Sequence, residues 1–165
     1  MATRSGMDEM KVFMVSNVEV VITRTVPAPK DLVFDAWTRP EHVTNWMLGP
    51  EGWTMPVCEI DLRPGGLWRF VWQKGEGGKT MEMTGEYLEV SRPDRLVQTE
   101  NWGEPWPQTH NTLVFTEENG RTVMACTIRY PTKEARDAAL KTGMEDGTAV
   151  SYDRLERYLA TLQLG

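Results

Sequence analysis

The part of the chain from Trp53 to Tyr130 constrains the fold most, because strand-like runs alternate there with short turns. The runs are WTMPVCEIDL, LWRFVWQK, TMEMTGEYLEV, RLVQTENW, HNTLVFTEE and RTVMACTIRY. RPGG, GEGGK, SRPD and ENG lie between them, and their Gly, Asn and Pro residues suit tight hairpin turns. Short links join antiparallel neighbours, so a meander of six strands is predicted.

The segments on either side complete an α+β fold. NVEVVITRTV, residues 17–26, predicts a seventh strand, and PKDLVFDAWT and PEHVTNWML predict two short helices after it. Beyond Pro131, apolar residues recur at helical spacing, which predicts a short helix over 132–141 and a long one over about 144–162. A seven-stranded antiparallel sheet twists and curls, so the long helix is expected to lie across its concave side.

A single domain is predicted over residues 17–163, since 165 residues suffice for one core. Residues 1–16 mix charge and Met without clear periodicity. They fit either a frayed, flexible arm or an extra edge strand through KVFMV, and the arm is the prediction.

Composition excludes several classes of partner. The net charge is −6, with 24 acidic and 18 basic residues and no basic stripe, so neither nucleic acid nor an anionic membrane surface is expected as a partner. The start has no secretory signal pattern and no run of apolar residues long enough to span a membrane, which favours the cytoplasm. Cys58 and Cys126 lack metal-site or redox spacing, and no phosphate loop or dinucleotide fingerprint occurs, so no metal or cofactor is expected.

The face of each strand that points inward follows from the alternation of its side chains. The predicted inward sets are Trp68, Phe70 and Trp72; Met81, Met83, Gly85 and Tyr87; Leu96, Gln98, Glu100 and Trp102; and Asn111, Leu113 and Phe115. In the last strand the parity is ambiguous, because both faces are partly apolar. Gly85 is expected to let the sheet bend sharply.

Glu100 is the unusual member of these sets. A buried carboxylate is costly unless it is paired or hydrogen-bonded, so Glu100 would need Arg129, Asn111, a water or a ligand. The alternative is that Gln98 and Glu100 occupy an edge position open to solvent.

The aromatic content favours a lined cavity over an ordinary core. The chain holds seven Trp and ten Met. Five of the indoles, Trp37, Trp46, Trp68, Trp72 and Trp102, are too large to stack into one compact centre without gaps, and each N–H needs a partner. The alternative for any one of these residues is a place in the core, which is where aromatic and Met side chains usually lie.

Several motifs resemble one known superfamily. RPGGLWRF, GEYLEV, RLV before TENW, and YPTKEARDAALKTGMEDG with SYDRLERYL are similar to the START-like or SRPBCC superfamily, which has a helix-grip fold. Within it, residues 17–163 resemble the domain shared by activators of the ninety-kilodalton heat-shock protein ATPase. The resemblance implies a deep pocket between sheet and long helix, which members use for lipids, sterols, polyketides or hormones. The chaperone-activating role belongs to larger proteins with an additional domain and is not carried over.

The expected function is binding of a small hydrophobic or amphipathic molecule. The expected ligand-binding residues are Trp37, Trp46, Trp68, Phe70, Trp72, Met81, Met83, Tyr87, Gln98, Glu100, Trp102, Asn111 and Met144. One alternative is a cyclase, dehydratase or hydrolase, for which Glu100 would be the general acid or base. A protein-interaction domain is the other alternative, and a homodimer stays open. Of the two histidines, His42 is expected to be a solvated helix residue and His110 to have no catalytic role.

Overall fold

Alternation of buried and exposed side chains builds a single antiparallel sheet in the computed structural model, which describes residues 9–164. The strands are β1 (Lys11–Phe13), β2 (Glu19–Val26), β3 (Trp53–Ile60), β4 (Leu67–Lys74), β5 (Thr80–Ser91), β6 (Arg95–Glu100), β7 (Thr109–Glu118) and β8 (Arg121–Arg129). The helices are α1 (Lys30–Thr38), α2 (Pro40–Val43), α3 (Lys133–Leu140) and α4 (Met144–Leu162). The α+β class and the helix-grip arrangement are therefore confirmed.

The strand order is β1-β2-β8-β7-β6-β5-β4-β3, and every neighbouring pair is antiparallel. The predicted meander from β3 to β8 is thus present, and β2 closes onto β8. The sheet has eight strands and not seven, because Lys11–Phe13 pairs with β2 along its free edge. This part of the predicted arm is therefore the edge strand that KVFMV allowed. Residues 1–8 of the arm lie outside the described residues.

A buried ion pair fixes the long helix α4 on the sheet. Arg24 lies on the interior face of β2 between Ile22 and Val26 and is only 1% exposed. Its guanidinium contacts Asp153 at 3.0 Å and Glu156 at 3.3 Å, both on α4. A buried charge is tolerated only when it is paired, so this contact determines how α4 sits over β2.

The short helices α1 and α2 differ in how well the sequence predicted them. α1 begins after Pro29 as expected, whereas α2 ends at Val43 and residues 44–46 continue as turns. Side-chain hydrogen bonds hold the segment that follows: Arg154 donates to the carbonyl oxygens of Trp46 and Gly49, both at 3.1 Å. The prediction for His42 was wrong, because its ring is half-buried and hydrogen-bonded to the Tyr158 hydroxyl of α4.

At the C-terminal end the predicted helix boundaries are confirmed. Thr132 caps α3, since its hydroxyl accepts a hydrogen bond from the Ala135 N–H at 3.0 Å. Gly143 has a φ of 84°, and this left-handed residue separates α3 from α4. The chain therefore turns just before Met144, and α4 runs back across the concave side of the sheet.

We expect Arg24→Met to lower the free energy of unfolding by about 3 kcal/mol, because it leaves two carboxylates next to apolar groups without their cation. Urea unfolding followed by circular dichroism would measure this. Arg95→Met is the matched control: Arg95 contacts Glu89 at 3.1 Å on the exposed surface, and its loss should cost less than about 1 kcal/mol. Equal effects of the two substitutions would contradict the structural role of Arg24.

Candidate ligand-binding site

One end of the interior is filled by interlocking rings. Trp37 packs edge-on against Trp46 and Tyr152, with ring centroids 4.8 Å and 6.0 Å apart. Phe34 packs in the same way on Phe115 at 5.9 Å. The Trp46 N–H donates to the carbonyl oxygen of Ala36 at 2.9 Å. Trp46 is therefore part of the solid core, whereas Trp37 is only half-buried.

A second row of rings lies along β4. Trp68 and Phe70 lie 4.9 Å apart, and Phe70 meets Trp72 edge-on at 5.9 Å. Trp72 stacks on Trp102 at 5.4 Å, with an angle of 15° between the rings, and its N–H donates to the Met47 carbonyl oxygen at 2.7 Å. The predicted inward face of β4 is thus confirmed, and Met83 and Tyr87 of β5 are buried beside it.

Outside these two groups of rings, part of the interior face keeps accessible surface. Gln98 and Glu100 on β6 and Cys126 on β8 are half-buried, although neither strand is at an edge of the sheet. Met144 of α4 is half-buried as well. On the same face, the neighbouring side chains Leu96, Leu113, Phe115 and Met124 are buried. Accessible surface in mid-sheet beside closely packed neighbours is typical of the wall of an internal space.

Hydrogen-bonding register brings the polar side chains of this region together. Gln98 pairs with Asn111 across β6 and β7, and Glu100 pairs with Thr109. On the β5 side of β6, Thr84 pairs with Asn101 and Tyr87 pairs with Gln98. The same register places Gly85 opposite Glu100. The ambiguous parity of β8 is also resolved, because Met124, Ile128 and Tyr130 are buried. The interior face of β8 is therefore the one that carries Cys126.

Gly85 has a packing role next to Glu100. A Cβ at this position would lie 2.4 and 2.5 Å from two carbons of the Trp68 ring and 2.0 Å from the Thr99 carbonyl oxygen. The indole of Trp68 therefore lies directly over Gly85, where only glycine leaves room. Within residues 9–164, the buried Trp68 N–H has no hydrogen-bond acceptor.

The carboxyl group of Glu100 is held by amides and not by a cation. Gln98 Nε2 donates to Glu100 Oε2 at 3.5 Å, and the Asn111 side chain is a second hydrogen-bond partner. Asn111 is itself fixed by the Thr109 hydroxyl, which donates to its Oδ1 at 2.7 Å. Asn111 is thus one of the predicted partners of Glu100. Arg129 is not, because it lies exposed beside Glu19 at 3.7 Å.

Burial dominates the electrostatics of the site. Desolvation raises the pKa of Glu100 from 4.5 to about 7, and the hydrogen bonds from Gln98 and Asn111 oppose the shift only in part. Burial also raises the pKa of Cys126 and of Tyr130, each to about 12. Cys126 and Tyr130 are therefore neutral near pH 7, whereas Glu100 changes charge in this pH range.

Two predicted inward residues are more exposed than expected. Met81 is 41% exposed and Trp102 is 39% exposed. β5 continues past the end of β6, so its first residues have no neighbouring strand on that side, and Met81 lies at this open corner. β6 ends at Glu100, and Trp102 therefore lies on the rim, where it covers Trp72.

The outer face of the sheet carries a separate recess of about 450 Å³. Its lining includes Leu67, Glu86, Thr99 and Asn101, which point away from α4. Arg69 crosses this surface and pairs with Glu59 at 3.4 Å and with Glu82. Arg69 and Glu59 in this recess are thus already paired, whereas the interior region around Glu100 has no such ion pair among residues 9–164.

Similarity to known proteins identifies the family of this chain. Residues 27–160 match the family model described as activator of Hsp90 ATPase homolog 1-like protein. The chain belongs to this family. No curated protein matches it significantly. The suspected branch of the helix-grip superfamily is therefore confirmed.

Solved structures of bacterial proteins share the whole fold. A Rhodobacter sphaeroides protein is 30% identical, with a TM-score of 0.88, over 93% of this chain and 99% of that one. A Staphylococcus epidermidis protein is 26% identical, with a TM-score of 0.79, over 93% and 95%. A protein of Aeromonas hydrophila described as AHSA1-like is 20% identical, with a TM-score of 0.69, over 88% and 95%. None of the helices within residues 9–164 combines the length and apolar character needed to cross a membrane.

We expect the contribution of Glu100 to the free energy of unfolding to fall as the pH rises from about 4.5 to about 7. In this window the folded protein retains the Glu100 proton that the unfolded chain releases, so ionisation of Glu100 opposes folding. A pKa shift from 4.5 to about 7 corresponds to a change of about 3 kcal/mol in the free energy of unfolding. Because Glu100 keeps accessible surface, we expect a change of about 1–2 kcal/mol.

Urea unfolding at about pH 5 and about pH 8 measures this effect when the protein is compared with Glu100→Gln, which cannot ionise. The variant should gain stability relative to the parent at the higher pH only. Glu86→Gln removes an exposed carboxylate from the neighbouring strand and should not change the pH dependence. If the free energies of unfolding of the parent protein and of Glu100→Gln changed with pH in the same way, Glu100 would be fully solvated.

Proposed function

We propose that the protein binds a small apolar or amphipathic molecule between its sheet and α4. The observation that supports this most directly is the accessible surface at Gln98, Glu100 and Cys126, in the middle of a face that is otherwise closely packed. Ligand sites are concave and mostly apolar, with a few polar groups that orient the ligand. Here Tyr130, in the same row of the sheet as Glu100, and Met144, which contacts Tyr130, supply apolar surface next to those polar groups.

The rim suits the entry of such a molecule. Trp102 and Trp106 are exposed in the loop after β6, and Trp102 lies over Trp72. On the other side, residues 44–50 are tied to α4 by Arg154 and by Ser151, whose hydroxyl accepts from the Gly49 N–H at 2.8 Å. One side of the rim is therefore anchored, and the other is a surface loop with large apolar side chains, a common place for binding residues.

Lipids, sterols and polyketide-like compounds are the candidate ligands that the family resemblance suggests. The cytoplasmic location, the absence of nucleic-acid or membrane partners and a homodimer stay predictions from the sequence.

We expect saturable changes of Trp fluorescence when the protein is titrated with a panel of fatty acids, sterols and flavonoid-like compounds. Cys126→Phe places a large ring in the proposed space and should weaken binding at least about tenfold. Ala125→Phe is the matched control, since Ala125 is the adjacent residue on the outer face of β8. Absence of binding across the panel, or equal binding by both variants, would contradict the proposal.

An enzyme acting in the same space is a second candidate, and the pKa of Glu100 favours it. A carboxyl with a pKa of about 7 can both donate and accept a proton near neutral pH, as general acid–base chemistry requires. Turnover of a bound compound that stops in Glu100→Gln, while binding of the compound is retained, would identify a catalyst. Retained turnover in this variant would exclude Glu100 as the general acid or base.

A further inference from the structure

The charge of the interior points to the chemical class of the ligand. Among residues 9–164, no Lys, Arg or His forms an ion pair with Glu100. Its partners are the neutral amides of Gln98 and Asn111. A buried carboxylate usually has a cation beside it, so this site lacks the group that would complete it.

The guanidinium groups nearest to the interior are already occupied. Arg24 is paired with two carboxylates of α4, and Arg136 contacts Asp137 at 2.9 Å. Arg154 donates to the carbonyl oxygens at residues 46 and 49. A ligand carboxylate placed beside Glu100 would therefore meet a like charge without a compensating cation.

Aromatic rings flank the carboxyl on both sides along its row of the sheet. Trp68 covers Gly85, the cross-strand neighbour of Glu100 on β5. On the other side, Glu100 pairs with Thr109 on β7. His110 pairs with Arg129, and the same register places Thr109 opposite Tyr130, just after β8. Aromatic faces attract cations, and they do so more strongly where water is excluded.

We propose that the amphipathic ligand of this site carries a protonated amine, which pairs with the Glu100 carboxylate between these rings. The inference rests on the proposed function, because it names the chemistry of the molecule bound there. An ammonium group donates up to three hydrogen bonds and supplies the charge that the site lacks. Its apolar portion would lie towards the half-buried Met144 of α4.

The other titratable groups that face Glu100 do not compete for this role. Cys126 and Tyr130 on β8 stay neutral near pH 7, because burial raises the pKa of each to about 12. Tyr152 on α4 has a pKa well above its ordinary value for the same reason. Amine binding should therefore be coupled to deprotonation of Glu100.

The test compares three probes with one ten-carbon chain: decylamine, decan-1-ol and decanoate. We expect the full-length protein to bind the amine at least about tenfold more tightly than the alcohol and to bind decanoate most weakly, measured by calorimetry and Trp fluorescence. Glu100→Gln should remove the preference for the amine while alcohol binding is retained. Glu86→Gln, which loses an outward-facing carboxylate on β5, should keep the preference.

A measurement on the unsubstituted protein makes the test independent of any folding defect in Glu100→Gln. Affinity for decylamine should rise between about pH 6 and about pH 8 as Glu100 ionises, while affinity for decan-1-ol stays constant. Equal affinity for amine and alcohol, or tighter binding of decanoate, would overturn the amine assignment and leave the proposed function standing. If none of the three probes, and no compound of the wider panel, binds, both proposals fail.

Discussion

Contact between the sheet and the C-terminal half of α4 determines where the interior is filled and where it is open. Tyr152, Leu155 and Leu159 are buried, and the ion pairs of Arg24 hold the same half of the helix over β2. The N-terminal half differs, since Met144, Gly147 and Thr148 remain half-buried. Glu100 shares its row of the sheet with Tyr130, which contacts Met144 at the start of α4. The accessible part of the interior therefore lies near the less buried end of the helix.

The half-buried polar side chains of β6 lie towards this less buried end of α4. Leu96 is buried, whereas Gln98 and Glu100 come next along the same face of β6 and keep accessible surface. Holding Glu100 there opposes folding, because burial raises the pKa of its carboxyl group to about 7. An apolar side chain at this position would avoid the free-energy cost of burying the carboxyl group. Positions that lower stability in this way are typical of functional sites.

Strand alternation allowed most of the interior to be predicted from the sequence, but not the extent of burial. It placed Trp68, Phe70 and Trp72 on one face correctly, and it placed Glu100 and Asn111 on the same interior face. Exposure of Met81 and Trp102 depends on where the neighbouring strands end, which alternation along one strand does not reveal. The pairing of His42 with Tyr158 depends on two helices far apart in sequence. The inward position of Arg24 could have been predicted from the sequence, because it shares the parity of Val20, Ile22 and Val26.

The fold and the proposed ligand chemistry of this chain depend on different residues. The fold requires apolar alternation, turn glycines and an anchored helix, and solved structures that are 20–30% identical to this chain share that fold. In the proposed function, the ligand meets the few positions that the helix leaves accessible, where one substitution would change the charge of the surface. In this chain those positions hold a single carboxyl between two amides and two aromatic side chains. In the amine proposal, the net charge of that small region, more than its apolar area, therefore sets which amphipathic molecules it discriminates against.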